Sequence, residues 1–158
     1  MLSQAERTEL IAKYAAGYDA IVAALVGIDD AGWNAREAPG EWCPREVVHH
    51  LADSEMASAL RLRQMLVTDG ALIAPYDQDE YARVLHYDRP VEGSLLAFQG
   101  ARACTVPVLE RMSDADWQRT GSHPEFDEFN VEIWLRYYSQ HAHDHADQIR
   151  RARATLSG

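Results

Sequence analysis

Four long stretches of this chain repeat their apolar residues every three or four positions, and this period constrains the fold more than any other feature. The spacing predicts α-helices over residues 3–26, 44–68, 91–112 and 131–156. No stretch alternates apolar and polar residues convincingly over the length of a strand. Helices of this kind bury their apolar faces most simply against one another, so the pattern predicts an all-α four-helix bundle.

The residues between the periodic stretches predict where the helices begin and how they are joined. Pro44 suits the first helical position, which makes Cys43 the N-cap of the second long helix. Residues 71–90 form a long connection with one short helix near residues 79–85, and connections of that length are often functional. Residues 121–130 are predicted to be a loop before the last helix.

The length and charge of the chain narrow its class of function. With 158 residues the chain has the size of one domain, over residues 1–158. A formal net charge of −10 disfavours nucleic acid and anionic membranes as partners. The first ten residues lack the basic start and apolar core of a signal peptide, and the two cysteines form no metal or redox spacing. We therefore expect a cytoplasmic protein that acts on a small molecule.

Two histidines on the last predicted helix point to a metal ion. His141 and His145 are four residues apart, so their rings lie one above the other on one helix face. That face also carries Trp134, Tyr138 and Ile149, which makes it the face that packs on the core. Two adjacent imidazoles in an apolar core are costly unless each finds a partner. A shared metal ion satisfies both, whereas the alternative is hydrogen bonding to groups on neighbouring helices.

The second long helix offers a third ligand. The helical wheel places His50 at the edge of the face set by Val47 and Leu51, and it places His49 well off that face. Periodicity therefore selects His50 as the inward histidine, while the alternative is that both are surface residues. Three protein ligands that leave coordination positions open are typical of catalytic rather than structural metal sites.

Other metal motifs are less well supported by the sequence. There is no HExxH motif and no calcium-binding EF-hand spacing. Glu46 and His49 match half of a di-iron carboxylate motif, but the second half is missing. Three neutral imidazoles suit a divalent transition metal, with zinc and nickel first, better than magnesium or calcium.

Several motifs together resemble the DinB/YfiT-like superfamily. The runs that carry the resemblance are EWCPREVVHHLADSE, APYDQDEYA, SHP at residues 122–124 and HAHDHADQI at residues 141–149. The similarity extends from about residue 5 to residue 155 and is greatest to the YfiT branch, whose members are described as metal-dependent hydrolases and include bacillithiol transferases. The chain departs from the family pattern at Cys43, Glu55 and His143–Asp144, which leaves the subgroup open.

The resemblance implies a fold, a metal site and an activity. It implies a four-helix bundle with a three-histidine divalent metal site, whose ligands correspond to His50, His141 and His145. It implies a metal-dependent thiol S-transferase or hydrolase, with a low-molecular-weight thiol as a co-substrate in the first case, and a homodimer. The alternative is a stress-associated metal-binding protein without turnover. No catalytic residue is assigned by the pattern.

A second set of residues is predicted to surround the site, each with a structural alternative. Asp53 is a candidate to orient a ligand imidazole, and Glu55 is a candidate general base or interhelical salt-bridge partner. Arg61 is a candidate to bind a substrate carboxylate, or else to pair with a neighbouring helix. The loop residues Tyr76, Asp77 and His123 are candidates to line an entrance or to pack the loops.

Four further residues are assigned from their positions alone. Cys43, at a helix N-terminus, is a candidate for a lowered thiol pKa, although no partner for a nucleophile is visible. Cys104 is predicted to lie in the core. Asp144 and Asp147 flank the later ligands but lean away from them, so they are predicted to be solvated surface.

Overall fold

The computed structural model describes residues 1–124 and 126–157, and within them four long helices carry most of the chain. In chain order the elements are α1 (Gln4–Leu25), α2 (Asp30–Asn34), α3 (Pro44–Val67), β1 (Ala71–Leu72), α4 (Gln78–Val84), α5 (Glu92–Leu109), α6 (Asp114–Trp117), β2 (Thr120–His123), β3 (Phe126–Asn130), α7 (Val131–Ala154) and a final 3₁₀ turn (Thr155–Ser157). The predicted four-helix bundle is confirmed. The short helix predicted near residues 79–85 is also confirmed, as α4.

The long helices pack as a bundle in which α1 contacts α7 most extensively and α3 contacts α5. Contacts between α3 and α7 and between α1 and α5 close the bundle. The apolar core has two parts along its length, one around Trp134 and Leu62 and the other around Phe98 and Ile149. None of the helices in the described part of the chain combines the length and apolarity needed to cross a bilayer.

A buried ion pair lies between the two parts of the core. Arg102 of α5 donates from Nε to Glu55 Oε2 at 2.9 Å, and Tyr14 of α1 donates its hydroxyl to Glu55 Oε1. The guanidinium also lies over the rings of Tyr14 and Phe98, at 4.3 and 4.9 Å from their centroids. Burial raises the pKa of Glu55, and the Arg102 charge opposes this effect. Glu55 therefore joins helices, which confirms the salt-bridge alternative and removes it as a general base.

The prediction of a loop over residues 121–130 is wrong, because this segment forms most of β2 and all of β3 in a small three-stranded sheet. β2 and β3 pair antiparallel, with an irregularity between Gly121 and His123, and β1 pairs parallel with β2. Residue 125, inside the predicted loop, lies outside the described part of the chain. The strands are too short for apolar and polar residues to alternate visibly along the sequence. They are therefore defined by their hydrogen-bonded pairing rather than by a sequence pattern. Gly121 allows the close contact with α3, since a Cβ there would lie 2.8 Å from Ile73 and 3.2 Å from Met65.

Candidate metal centre

Three histidines from two helices meet at one point in the bundle. The Nε2 atom of His141 lies 3.2 Å from Nε2 of His50 and 3.1 Å from Nε2 of His145. His50 and His141 are buried and His145 is partly buried. α3 supplies the first residue and successive turns of α7 supply the other two, as the spacing predicts. The structure therefore brings together the three residues that periodicity selects.

The outer nitrogen of His145 fixes the protonation of that ring. Nδ1 of His145 lies 2.7 Å from Gln148 Oε1, an atom that only accepts, so this Nδ1 carries the proton. Nδ1 of His50 lies 3.1 Å from the hydroxyl of Tyr76. If it donates to that oxygen, both rings turn the lone pair of Nε2 towards His141. A single Nε2–H of His141 can satisfy only one of these lone pairs.

A cation fits this donor set better than protons do. One metal ion about 2.1 Å from each nitrogen requires nitrogen–nitrogen separations of about 3.0 to 3.4 Å, depending on the coordination angle. The two separations given above fall in that range. All three lone pairs would then have one partner, which no arrangement of protons on neutral imidazoles achieves. The three residues therefore fit a divalent transition metal.

The surroundings keep the imidazoles neutral, the form that binds metal. Burial lowers the pKa of His50 to about 3, and His145 adds to the effect. Burial also holds the pKa of His141 well below its ordinary value, with further contributions from the other two histidines. The pKa of His145 is lowered by burial, which the hydrogen bond to Gln148 partly opposes. Protons therefore compete weakly for these nitrogens at neutral pH.

Two tyrosines from the connection after β1 bind polar groups of α3. The Tyr76 hydroxyl lies 3.1 Å from His50 Nδ1, and the Tyr87 hydroxyl donates to Asp53 Oδ2 at 2.7 Å. The prediction that Asp53 orients a ligand directly is wrong, since the polar groups at the outer nitrogens of His50 and His145 are Tyr76 and Gln148. Sequence spacing gives no indication that Tyr76 lies against His50.

His141 is the ligand candidate with an unsatisfied outer nitrogen. Its Nδ1 is buried and has no hydrogen-bond partner among the described residues. Its ring is held by packing instead, because Tyr137 stacks on it at 5.4 Å between centroids. The other two candidates are each held by a polar group, so the three rings are fixed by different means.

His49 lies in the core, which contradicts the helical-wheel prediction. Its side chain is fully buried, with Nδ1 2.7 Å from Ser94 Oγ and Nε2 3.0 Å from the carbonyl oxygen of Arg89. Its pKa is lowered by burial. The wheel describes only the face of α3 that meets α7, whereas α5 and the preceding loop cover a second face. His49 therefore joins elements and stays apart from the three-histidine cluster.

Two cavities lie beside the cluster, and Gln78 lines both. One lies beside His50, and its described lining includes the predicted residues Arg61, Tyr76 and His123. The other lies beside His145 and is lined by polar residues that include Glu41 and Asp79. Asp77 lines neither, because its carboxylate caps α4 by accepting from the backbone N–H groups of residues 79 and 80.

Each cysteine contradicts one sequence prediction. Cys43 does cap α3, but burial raises the pKa of its thiol, so the predicted lowering is wrong. The helix terminus is satisfied by Glu46, which accepts from the Cys43 N–H at 2.8 Å. Cys104 is exposed on α5 rather than buried. Asp144 and Asp147 are exposed, as predicted.

The fold and the cluster define a class: helical bundles in which facing helices bring metal-binding side chains to one point in the interior. Within that class, residues 13–149 match the family model described as the DinB superfamily. The match covers most of the chain, and the chain belongs to this superfamily.

Curated relatives share about a third of the aligned sequence. A protein of Oceanobacillus iheyensis named "Putative metal-dependent hydrolase" is 33% identical over 110 residues, which are 70% of this chain and 64% of the relative. Relatives with the same description from Geobacillus thermodenitrificans and Geobacillus kaustophilus are 36% and 33% identical, over 64% and 80% of this chain and 57% and 72% of their own length. The chain thus spans less than two thirds of the first two relatives.

A solved structure shares the fold. It is that of YfiT from Bacillus subtilis, described as "a probable metal-dependent hydrolase with an unusual four-helix bundle topology". The TM-score is 0.93, with 99% of this chain and 91% of that chain covered, at 24% sequence identity. At this identity the likeness establishes the bundle topology.

Proposed function

We propose that this protein is a divalent-metal-dependent enzyme, a hydrolase or thiol S-transferase that acts on a small molecule. The observation that carries the proposal is the convergence of the Nε2 atoms of His50, His141 and His145, at separations of 3.1 and 3.2 Å. The names of the relatives, which describe metal-dependent hydrolases, point to the same chemistry. Zinc or nickel is the expected ion, because neutral imidazoles favour the later transition metals.

The flanking cavities favour an enzyme over a closed structural site. Structural zinc sites are surrounded by four protein ligands, whereas catalytic sites use three and leave a position for water or substrate. Here the cluster has three candidate ligands among the described residues, and a cavity reaches it beside His50. A small molecule can therefore approach the point that the three imidazoles share.

The chemistry divides between the ion and the chain. A divalent cation bound by three imidazoles lowers the pKa of water to about 7, or holds a thiol as its thiolate, and so supplies a nucleophile at neutral pH. The protein keeps the imidazoles neutral by burial and fixes two of them through Tyr76 and Gln148. Tyr76, Tyr137 and Tyr138 give the cavity beside His50 an aromatic wall.

Metal analysis tests the proposed site. The protein is stripped with a chelator, dialysed against zinc or nickel and analysed by mass spectrometry of the metal, with His145→Ala and His143→Ala as matched variants. His143 lies on the same helix, but its ring contacts the carbonyl oxygen of Lys13 instead of the cluster. We expect one ion per chain in the wild type and in His143→Ala, and much less in His145→Ala. Equally low metal in all three would refute the site.

Activity assays distinguish the two reactions. The loaded protein is tested for hydrolysis of 4-nitrophenyl acetate, and for transfer of cysteine to 1-chloro-2,4-dinitrobenzene. Turnover that is lost in His145→Ala supports the enzyme, and the reaction that is accelerated identifies its type. Stoichiometric metal without turnover in either assay favours the alternative, a metal-binding protein without catalysis.

We also propose that two copies of the chain associate. Met56, Leu60 and Val67 expose apolar side chains along one face of α3, at 48%, 57% and 81% of their full accessibility. Contiguous exposed apolar surface commonly marks an interface. Light scattering coupled to gel filtration should give twice the chain mass of 17.8 kDa. Leu60→Glu should return the protein to the monomer mass, and a wild-type monomer would contradict the proposal.

A further inference from the structure

The cavity beside His50 has the size and lining of a specific binding site. Its volume is about 180 Å³, and an apolar cavity of about 150 Å³ is known to hold benzene. One planar group of about that size can therefore fit next to His50. The described lining residues that bear on the ligand are His50, Arg61, Tyr76, Tyr137 and Tyr138.

Aromatic rings form the walls and continue the aromatic surroundings of the metal-ligand candidates. Tyr76 stacks on His50 with 6.2 Å between centroids, and Tyr137 stacks on His141. Tyr138 packs against both Tyr137 and His141, at 5.0 and 5.8 Å. Rings in these positions favour a planar, apolar body over an extended polar one.

Arginine is the only permanently charged residue among the described residues that line the cavity. Among the described lining residues there is no carboxylate, although the chain contains 25 Asp and Glu residues. Arg61 supplies a guanidinium that makes no ion pair within the described part of the chain. Its Nη2 donates to the carbonyl oxygen of Ala74 at 2.7 Å, which anchors the side chain. An anchored guanidinium with remaining donors is suited to accept a carboxylate.

We infer that this cavity binds a small organic carboxylate, with its planar apolar body between the tyrosines and its carboxylate on Arg61. The inference rests on the proposed function, because the reacting group of the molecule would lie at the three histidines. The structural alternative is that Arg61 serves only to hold the connection after β1 through Ala74. An acidic protein repels anions at long range, so selection for an anion must come from a local cation such as this one.

Binding of two matched thiols to the Co²⁺-loaded protein tests the inference. Benzyl mercaptan and 4-(mercaptomethyl)benzoate share the thiol and the ring and differ in the carboxylate. Thiolate binding to Co²⁺ produces a near-ultraviolet charge-transfer band, which reports binding without any turnover. We expect the wild type to bind 4-(mercaptomethyl)benzoate at least about tenfold more tightly than benzyl mercaptan. This ratio corresponds to one charged hydrogen-bonded contact.

Substitutions at Arg61 separate charge from anchoring. Arg61→Gln should remove the preference for the carboxylate and leave the affinity for benzyl mercaptan within about twofold of the wild type. Arg61→Lys should retain part of the preference because it keeps the charge. Arg63→Gln, two residues along α3, is the matched control, since Arg63 donates to Ala59, Cys104 and Thr105 and does not line the cavity. The preference of Arg63→Gln for the carboxylate-bearing thiol should equal that of the wild type.

The outcomes distinguish this inference from the proposed function. Cobalt uptake is measured first, and a protein that takes up none refutes the metal site together with the inference. If the loaded wild type binds both thiols equally, or if Arg61→Gln keeps the preference, the inference is overturned while the metal site stands. Thermal melting of each variant checks that the fold is retained.

Discussion

At the scale of single residues, the orientation of His50 depends on a tyrosine hydroxyl. That of Tyr76 lies 3.1 Å from His50 Nδ1, and Tyr76 comes from the connection after β1 rather than from a long helix. Groups that hold the outer nitrogen of a metal-binding histidine fix its orientation and raise its basicity. Metal affinity should therefore depend on a residue that does not touch the metal.

Tyr76→Phe should weaken metal binding by about tenfold, because it removes the hydroxyl that is hydrogen-bonded to His50 Nδ1 and leaves the ring in place. Competition titration of zinc against a chromogenic chelator measures the dissociation constant. Tyr18→Phe is the control, since Tyr18 packs against Phe98 away from the cluster. An unchanged affinity in Tyr76→Phe would show that this hydroxyl does not act on the metal.

The buried histidines should also make the metal-free protein sensitive to acid. The pKa of His50 is lowered to about 3, and unfolded imidazole titrates near about 6.5. Between these values the unfolded chain binds more protons than the folded chain, so the free energy of unfolding falls as the pH falls. Each fully protected imidazole contributes about 1.4 kcal/mol per pH unit.

Urea unfolding of the metal-free protein between pH 7 and pH 5 measures this dependence. The slope should be smaller in His50→Gln, which removes one protected group. It should be unchanged in His86→Asn, because His86 is exposed and its positive φ of 54° is tolerated by asparagine. Equal slopes for the wild type and His50→Gln would show that this histidine is not protected from protons.

At the scale of elements, the close packing of α1 on α7 and on Arg102 of α5 depends on Gly17. A Cβ at this position would lie against Arg102 Nη1 and 2.8 Å from the Cβ of Ala142. Gly17→Ala should therefore destabilise the protein by about 1–3 kcal/mol, despite the better helix propensity of alanine. In Gly100→Ala, where nothing lies within 4 Å of the new Cβ, only the propensity acts and stability should rise by about 0.5–1 kcal/mol. Denaturant unfolding of both variants measures the difference, and a stabilised Gly17→Ala would contradict the close packing.

The long helices and the three-histidine cluster follow from periodicity, because the helix positions that face the core repeat regularly. The sheet does not follow, since β1 has two residues and β2 four, and such strands are defined only by their partners. His49 is misassigned for a related reason. A wheel describes one helix, and the burial of His49 comes from Ser94 and Arg89, which lie some forty residues away.

At the scale of the whole molecule, the metal ligands connect opposite parts of the chain. His50 lies near the start of α3, and the other two candidates lie near the middle of α7, so a bound ion would cross-link these helices. Their packing on one another is less extensive than that of α1 on α7. An ion at this position would therefore strengthen the contact between α3 and α7, where the packing is less extensive than between α1 and α7.

Metal removal should lower the melting temperature of the protein markedly. An ion that binds only the folded chain stabilises it by about 4 kcal/mol when its free concentration is a thousand times the dissociation constant. For a domain of this size, that corresponds to about 8–16 °C. Calorimetry of the stripped protein, with and without added zinc, measures the shift. His143→Ala should keep it, because its ring lies outside the cluster, whereas His141→Ala should lose it even with excess zinc. A shift of the same size in His141→Ala would mean that zinc stabilises the fold from another position, and the three-histidine centre would then be wrong.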